Sequence, residues 1–122
     1  MGTKILLVDD EPDFVELTKM RLESAKYEVV TAYDGNAGLY AAQREDPNLI
    51  LLDVMMPGID GFAVLRELRK NSATRKIPVI MLTAKGETKS IFKAQELGAT
   101  DYLIKPCESE ELIALVRKHT RT

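Results

Sequence analysis

Apolar residues come in five short runs along this chain: Ile5 to Val8, Val29 to Ala32, Leu49 to Leu52, Ile77 to Leu82 and Tyr102 to Ile104. Their length and their β-branched and leucine content predict strands. Three of the runs are apolar on consecutive residues instead of alternating, the mark of strands covered on both faces in a parallel sheet. The intervening segments have helical period. The first opens at Pro12-Asp13 and places Phe14, Leu17, Leu22 and Ala25 on one broad face. The others run from about Asn36 to Arg44, Gly61 to Lys70, Thr88 to Leu97 and Ser109 to His119. In the last, Ser109 is the expected N-cap, Glu110 and Glu111 follow in the first turn, and Arg117, Lys118 and His119 face the negative end of the dipole. Strict alternation predicts an α/β, (βα)₅ fold: a doubly wound parallel five-stranded sheet with helices on both faces, in the flavodoxin-like order 2-1-3-4-5. No repeat, low-complexity tract or linker interrupts it, so residues 1–122 are expected to form one domain with no output domain attached.

Composition narrows the chemistry. Seventeen basic and 19 acidic residues leave a net charge of -2, which argues against a surface built for direct nucleic-acid contact. One cysteine, Cys107, permits neither an internal disulfide framework nor a structural zinc site, and a reducing, cytoplasmic location is the simplest expectation. The apolar runs fall far short of the roughly 20 residues that cross a bilayer. After Met1-Gly2, Leu6 stands where a myristoylation signal needs Ser or Thr, so no targeting segment or membrane association is expected.

In an open parallel sheet, ligands bind beyond the carboxyl ends of the strands. There the chain supplies Asp9-Asp10 after the first strand, Asp53 at the end of the third, Thr83 at the end of the fourth and Lys105-Pro106 after the fifth. Carboxylates gathered at one edge repel each other unless a cation accompanies them. Hard oxygen ligands without His or Cys suit Mg²⁺, which keeps room for water and phosphate. An ammonium from Lys105 and a hydroxyl from Thr83 suit charge on phosphoryl oxygens.

Taken together, Leu7-Val8-Asp9-Asp10-Glu11, the stretch Leu52-Asp53-Val54-Met55-Met56-Pro57-Gly58-Ile59-Asp60-Gly61, Leu82-Thr83-Ala84 and Tyr102-Leu103-Ile104-Lys105-Pro106 resemble the response-regulator receiver family of two-component signalling, similar to single-domain chemotaxis-type regulators. The resemblance covers the whole chain. It implies a phosphorylation-activated switch, not an enzyme acting on an external substrate, which assists its own phosphorylation and dephosphorylation. Asp53 would be the phosphoacceptor, and Asp9, Asp10, Asp53 and the backbone carbonyl of Met55 would hold Mg²⁺, with Mn²⁺ a possible substitute. Lys105 would bind a phosphoryl oxygen, and Thr83 and Tyr102 would form the switch. The implied partners are a sensor histidine kinase or phosphotransfer protein, or a small phosphodonor, and a downstream protein or output domain. They would meet a face built from the fourth helix, fifth strand and fifth helix. The domain would be a monomer or a phosphorylation-dependent dimer, free-standing or part of a larger regulator.

Several residues are given structural duties. Pro106 is expected to follow a cis peptide, and Pro57-Gly58 and Asp60-Gly61 to turn the loop sharply, with Asp60 capping the next helix. Cys107 departs from the family, where an aromatic is common, which implies looser packing and a partly accessible thiol. Met55 and Lys85 occupy variable positions that influence loss of phosphate by water, and an apolar Met there predicts slow self-dephosphorylation. Met56 is expected in the core. His119 is expected to be solvated, and the basic stretch Arg66, Arg69, Lys70, Arg75 and Lys76 to form a solvated face.

Blander alternatives exist for single motifs: Asp9 and Asp10 as helix caps, Thr83 as an ordinary strand residue, Tyr102 as half-buried packing. A flavin- or dinucleotide-binding protein would need a Gly- or Ser/Thr-rich loop where Asp9-Asp10-Glu11 stands. A Mg²⁺ phosphohydrolase working through an aspartyl phosphate would place its nucleophile and a second Asp at Asp9 and Glu11, and would need a cap over its substrate.

Overall fold

The computed structural model describes residues 2–120; Met1, Arg121 and Thr122, and with them any reading of the chain ends, lie outside the described residues. The elements run β1 Lys4–Val8, α1 Pro12–Ser24, β2 Glu28–Ala32, α2 Gly35–Glu45, β3 Leu49–Asp53, α3 Gly61–Lys70, β4 Val79–Ala84, α4 Thr88–Glu96, β5 Asp101–Lys105 and α5 Ser109–Thr120. The strands form one parallel sheet in the order β2-β1-β3-β4-β5, as the alternation predicted.

Successive strand residues point to opposite faces, so one continuous apolar run feeds two cores. Leu6, Val8, Ile50, Leu52, Val79 and Met81 meet Ala42 of α2, Val64, Leu65 and Leu68 of α3 and Ala94 of α4. Ile5, Leu7, Leu49, Leu51, Ile80 and Leu82 meet Val15 and Leu22 of α1 and Leu112 and Val116 of α5. That double use is why alternation is absent from the central strands. Parallel β1, β3 and β4 therefore end side by side, at one edge.

Local details correct the sequence reading. Ile77 precedes the fourth strand instead of opening it: its N–H bonds back to Thr74, and Pro78 has no N–H to give to a ladder. The buried stripe of α1 is Val15, Thr18 and Leu22; of the expected face, Leu22 is buried and Phe14 packs against the core, but Leu17 is turned to solvent. Ser109 is the first residue of α5 and not its cap; the residue before it, Glu108, donates its N–H to the Glu111 carboxylate at 3.3 Å. Asp60 caps α3 as expected, accepting from the N–H of Ala63 at 2.9 Å.

Two surface readings are overturned. His119 is not free in solvent; its Nε2 lies 2.9 Å from the Asp101 carboxylate, tying the last turn of α5 to the start of β5. Arg69 leaves the basic stretch and turns inward. Its guanidinium donates to the carbonyls of Gly98, Arg75 and Ile77, holding the end of α3 to the segments before β4 and β5, and burial lowers its pKa from the usual value. Five fixed donors in a planar fork let one side chain serve three carbonyls. Lys70 stays outside, paired with Glu67 one turn back on its own helix.

Candidate functional site

Asp9, Asp10, Asp53, Thr83 and Lys105 sit at the carboxyl edge of the sheet, whereas Tyr102 lies near the start of β5. Val8 ends β1 in register with Leu52 of β3, which puts Asp9 beside Asp53, the last residue of that strand. One oxygen from each of Asp9, Asp10 and Asp53 falls within 4.8 Å of the others. Asp9 and Asp53 are buried, and Asp10 is half-buried. Asp9 Oδ1 also accepts the N–H of Glu11 at 3.0 Å, which leaves Oδ2 to face Lys105. Neither aspartate is the N-cap of α1; Glu11 holds that position and makes no side-chain cap bond.

Lys105 closes the group. Its Nζ stands 2.9 Å from Asp9 Oδ2, 2.9 Å from Glu11 Oε1 and 3.7 Å from Asp53 Oδ1. The Lys105-Pro106 peptide is cis, as expected from the tight turn that aims this lysine back over the sheet edge. Asp10, Glu11, Asp53 and Lys105 line a cleft of about 420 Å³ together with Met55 and Ala84. Met55 is exposed at its rim while Met56 is in the core. Pro57 and Gly58 lie on the surface, and Gly58 turns the chain with φ of 79°.

Gly61 has a different duty. A Cβ there would lie 2.1 Å from the Asp53 carbonyl oxygen and 2.8 Å from Val54 Cα. The start of α3 is packed directly on the backbone that carries Asp53, with the Gly61 N–H bonded to the Val54 carbonyl at 3.0 Å.

Electrostatics follow from this crowding. Burial and then the neighbouring charge of Asp9 push the Asp53 pKa up to about 7, against the smaller opposing pull of Lys105 and of the Met55 N–H. A carboxyl group in that state calls for another cation. The Lys105 ammonium is drawn the other way. Burial alone would lower its pKa, but hydrogen bonds to Glu11 and Asp9 and the charge of Asp53 raise it overall. The donor set of three carboxylates beside an open cleft fits a hard divalent ion such as Mg²⁺.

Thr83 lies at the same edge, next to the last residue of β4, and is buried. Its hydroxyl has no hydrogen-bond partner, alone among the buried side-chain polar atoms of the described residues. A buried hydroxyl left unpaired costs roughly 1–3 kcal/mol. Thr83→Val keeps the shape and deletes that hydroxyl, so urea denaturation should show resting stability unchanged or raised by about 1 kcal/mol. A loss of that size would mean that the hydroxyl is bonded in the resting protein. Tyr102, across β5, is exposed and not half-buried, with its backbone paired to Met81.

Two contributors escaped the sequence reading. Glu11 shares the Lys105 ammonium, and Phe14 presents its ring to it with the centroid 4.2 Å from Nζ. An acidic residue two places after Asp9 was a usable signal for the first. Nothing local distinguishes Phe14 from a core-facing helix residue. Cys107 is half-buried, and burial followed by the nearby Glu111 raises its pKa, which keeps the thiol protonated and poorly nucleophilic.

A model of the "Response regulator receiver domain" matches residues 5–117. "Probable transcriptional regulator ycf27" of Cyanophora paradoxa is 49% identical over 118 residues, which are 97% of this chain and 48% of that protein. "Response regulator PleD" of Caulobacter vibrioides is 46% identical over 121 residues, 99% of this chain and 27% of that protein. The chain thus spans about half the length, or less, of these curated relatives. Among solved structures, the receiver domain of sensor histidine kinase PA1611 from Pseudomonas aeruginosa PAO1, described with a magnesium ion coordinated in its active-site cleft, superposes with a TM-score of 0.92 at 31% identity, each chain covered completely. With the acidic cleft, the lysine and the sheet order already in place, these matches show that the chain belongs to the response regulator receiver domain family, whose members are regulatory phosphoacceptor domains of two-component signalling.

Proposed function

We propose that the domain accepts a phosphoryl group on Asp53 and that Mg²⁺, or Mn²⁺ in its place, serves the transfer. The observation that supports this most is the Lys105 ammonium standing 3.7 Å from the Asp53 carboxylate within an acidic trio at the strand ends. Asp9, Asp10, Asp53 and the Met55 carbonyl would hold the ion. When bound, it supplies positive charge that offsets repulsion among the carboxylates and on the phosphoryl oxygens.

An ionised Asp53 oxygen attacks phosphorus. A P–O bond forms to the carboxylate, and the bond to the donor breaks, either P–N to a histidine of a partner kinase or phosphotransfer protein, or P–O to the acyl group of a small phosphodonor. The leaving imidazole or carboxylate departs with the bonding pair. Lys105 orients a phosphoryl oxygen and stabilises its charge, so this chain contributes position and electrostatics. The new group brings about -1.5 to -2 charges at neutral pH. It offers the Thr83 hydroxyl its missing partner, and movement of Thr83 makes room for Tyr102 to turn in. The face of α4, β5 and α5 then meets a downstream protein or output domain, with or without dimerisation. A role as the receiver part of a longer regulator is supported by the partial coverage of the relatives.

Incubation with acetyl phosphate and Mg²⁺, followed by intact mass, should show one phosphoryl adduct that is absent from Asp53→Asn and does not form when a chelator is present from the start. An unchanged mass in the parent would overturn the assignment. Decay of the adduct should take far longer than seconds, since the exposed Met55 side chain cannot hold a water by hydrogen bonds.

A further inference from the structure

The surroundings of Lys105 are asymmetric. An ammonium has three N–H donors. Two are engaged by Asp9 and Glu11 at 2.9 Å, and the distance to Asp53, 3.7 Å, is beyond hydrogen-bond reach. An oxygen of a phosphoryl group on Asp53 can take the third N–H, and drawing the ammonium toward that oxygen loosens one of the two existing contacts. Asp9 is fully buried, whereas the Glu11 side chain is 63% exposed and is readily taken up by water. Glu11 is the partner to give up.

The fourth neighbour is the face of Phe14. This ring is half-buried on α1, packed against the core that includes Val15, Leu22, Leu103 and Leu112, so its plane is held. Attraction between a cation and a ring face is broad in direction, unlike a hydrogen bond. It persists through a small displacement of the cation, and the ring keeps water off that side. We propose that Phe14 is a positioning residue for Lys105: its ring holds the ammonium at the mouth of the cleft while the Glu11 contact is exchanged for a phosphoryl oxygen. This rests on the function proposed above for Asp53 and Lys105.

The test is a series at position 14, read as the rate of adduct formation over a range of acetyl phosphate concentrations, with Mg²⁺ affinity measured separately by calorimetry. Phe14→Leu, which keeps an apolar side chain without a ring face, should slow adduct formation about 3- to 30-fold, while Phe14→Tyr and Phe14→Trp stay within about twofold of the parent. Mg²⁺ affinity should stay within about twofold in all three, since the ring acts on the lysine. Parent-like rates in Phe14→Leu, or an equal fall in Phe14→Tyr, would overturn the proposal and leave Phe14 as packing. If Phe14→Leu does not fold, pentafluorophenylalanine at position 14 makes the same comparison, because it keeps the ring shape and reverses its charge distribution. Slower transfer supports the proposal and an unchanged rate overturns it. Absence of an adduct in the parent would instead defeat the assignment of Asp53, so the two failures are distinguishable.

Discussion

Asp53→Asn should be more stable than the parent protein at pH 8 in the presence of a chelator, by up to about 4 kcal/mol, with the gap shrinking to about 1 kcal/mol at pH 4.5. The cause is the raised pKa of Asp53, about 7 in the folded protein against an ordinary 3.8. At low pH both states carry the proton and the folded protein bears no penalty. As pH rises past 3.8 the unfolded chain releases its proton while the folded one keeps it, so stability falls until pH passes about 7 and then levels off. The Asp53 side chain is only 8% exposed, so solvent screens little of this cost, and 4 kcal/mol is an upper bound of about 1.4 kcal/mol per pKa unit. An amide has no such titration. Urea denaturation of both proteins across this range, without metal, reads the effect directly, and a thermal midpoint should differ on the order of 10 °C at the alkaline end. Mg²⁺ should then raise the stability of the parent more than that of Asp53→Asn, because the ion meets a full carboxylate only in the parent. A stability difference that does not vary with pH would show that Asp53 is ionised in the resting fold.

Gly61→Ala should be the most damaging conservative change in the loop after Asp53, costing about 3 kcal/mol or more. The added Cβ would meet the Asp53 carbonyl oxygen at 2.1 Å, Val54 Cα at 2.8 Å and the Asp53 carbonyl carbon at 2.9 Å. All three are backbone atoms and cannot rotate away. The strand end or the start of α3 must move instead, and either movement displaces the phosphoacceptor from Lys105. Chemical denaturation should show the loss, and the rate of adduct formation should fall with it. Gly58→Ala is the control. Nothing lies within 4 Å of a Cβ at position 58, and only its φ of 79° resists the change, so the cost should be about 1 kcal/mol. If Gly61→Ala keeps parent stability and rate, the close approach of α3 is not what fixes Asp53.

Much of the fold was legible because its signals are local. Unbroken apolar runs at Ile5 to Val8 and Leu49 to Leu52 announce strands buried on both sides, and the helices between them leave few topologies. Positions following those strands then marked the acidic trio, Thr83 and Lys105. Errors came where a single side chain had two plausible uses. Ile77 continues the apolar run, yet Pro78 keeps it out of the ladder. Leu17 and Val15 both suit a helix face, and only packing on the sheet decides that Val15 is buried and Leu17 is not. Arg69 and His119 read as surface charges because their partners, carbonyls at 75, 77 and 98 and the carboxylate of Asp101, are brought to them only by the folded chain.

The amino-acid sequence by itself determined the (βα)₅ alternation, the sheet order and the identity of the reactive edge, since hydrophobic period and chain connectivity are properties of neighbours along the backbone. Tertiary structure alone decided the chemistry of that edge: the high pKa of Asp53, the unpartnered hydroxyl of Thr83 and the shared hold of Asp9, Glu11 and Phe14 on Lys105. Desolvation and charge–charge interaction depend on distances of a few ångströms, and Lys105 reaches Asp9 across 96 positions of chain.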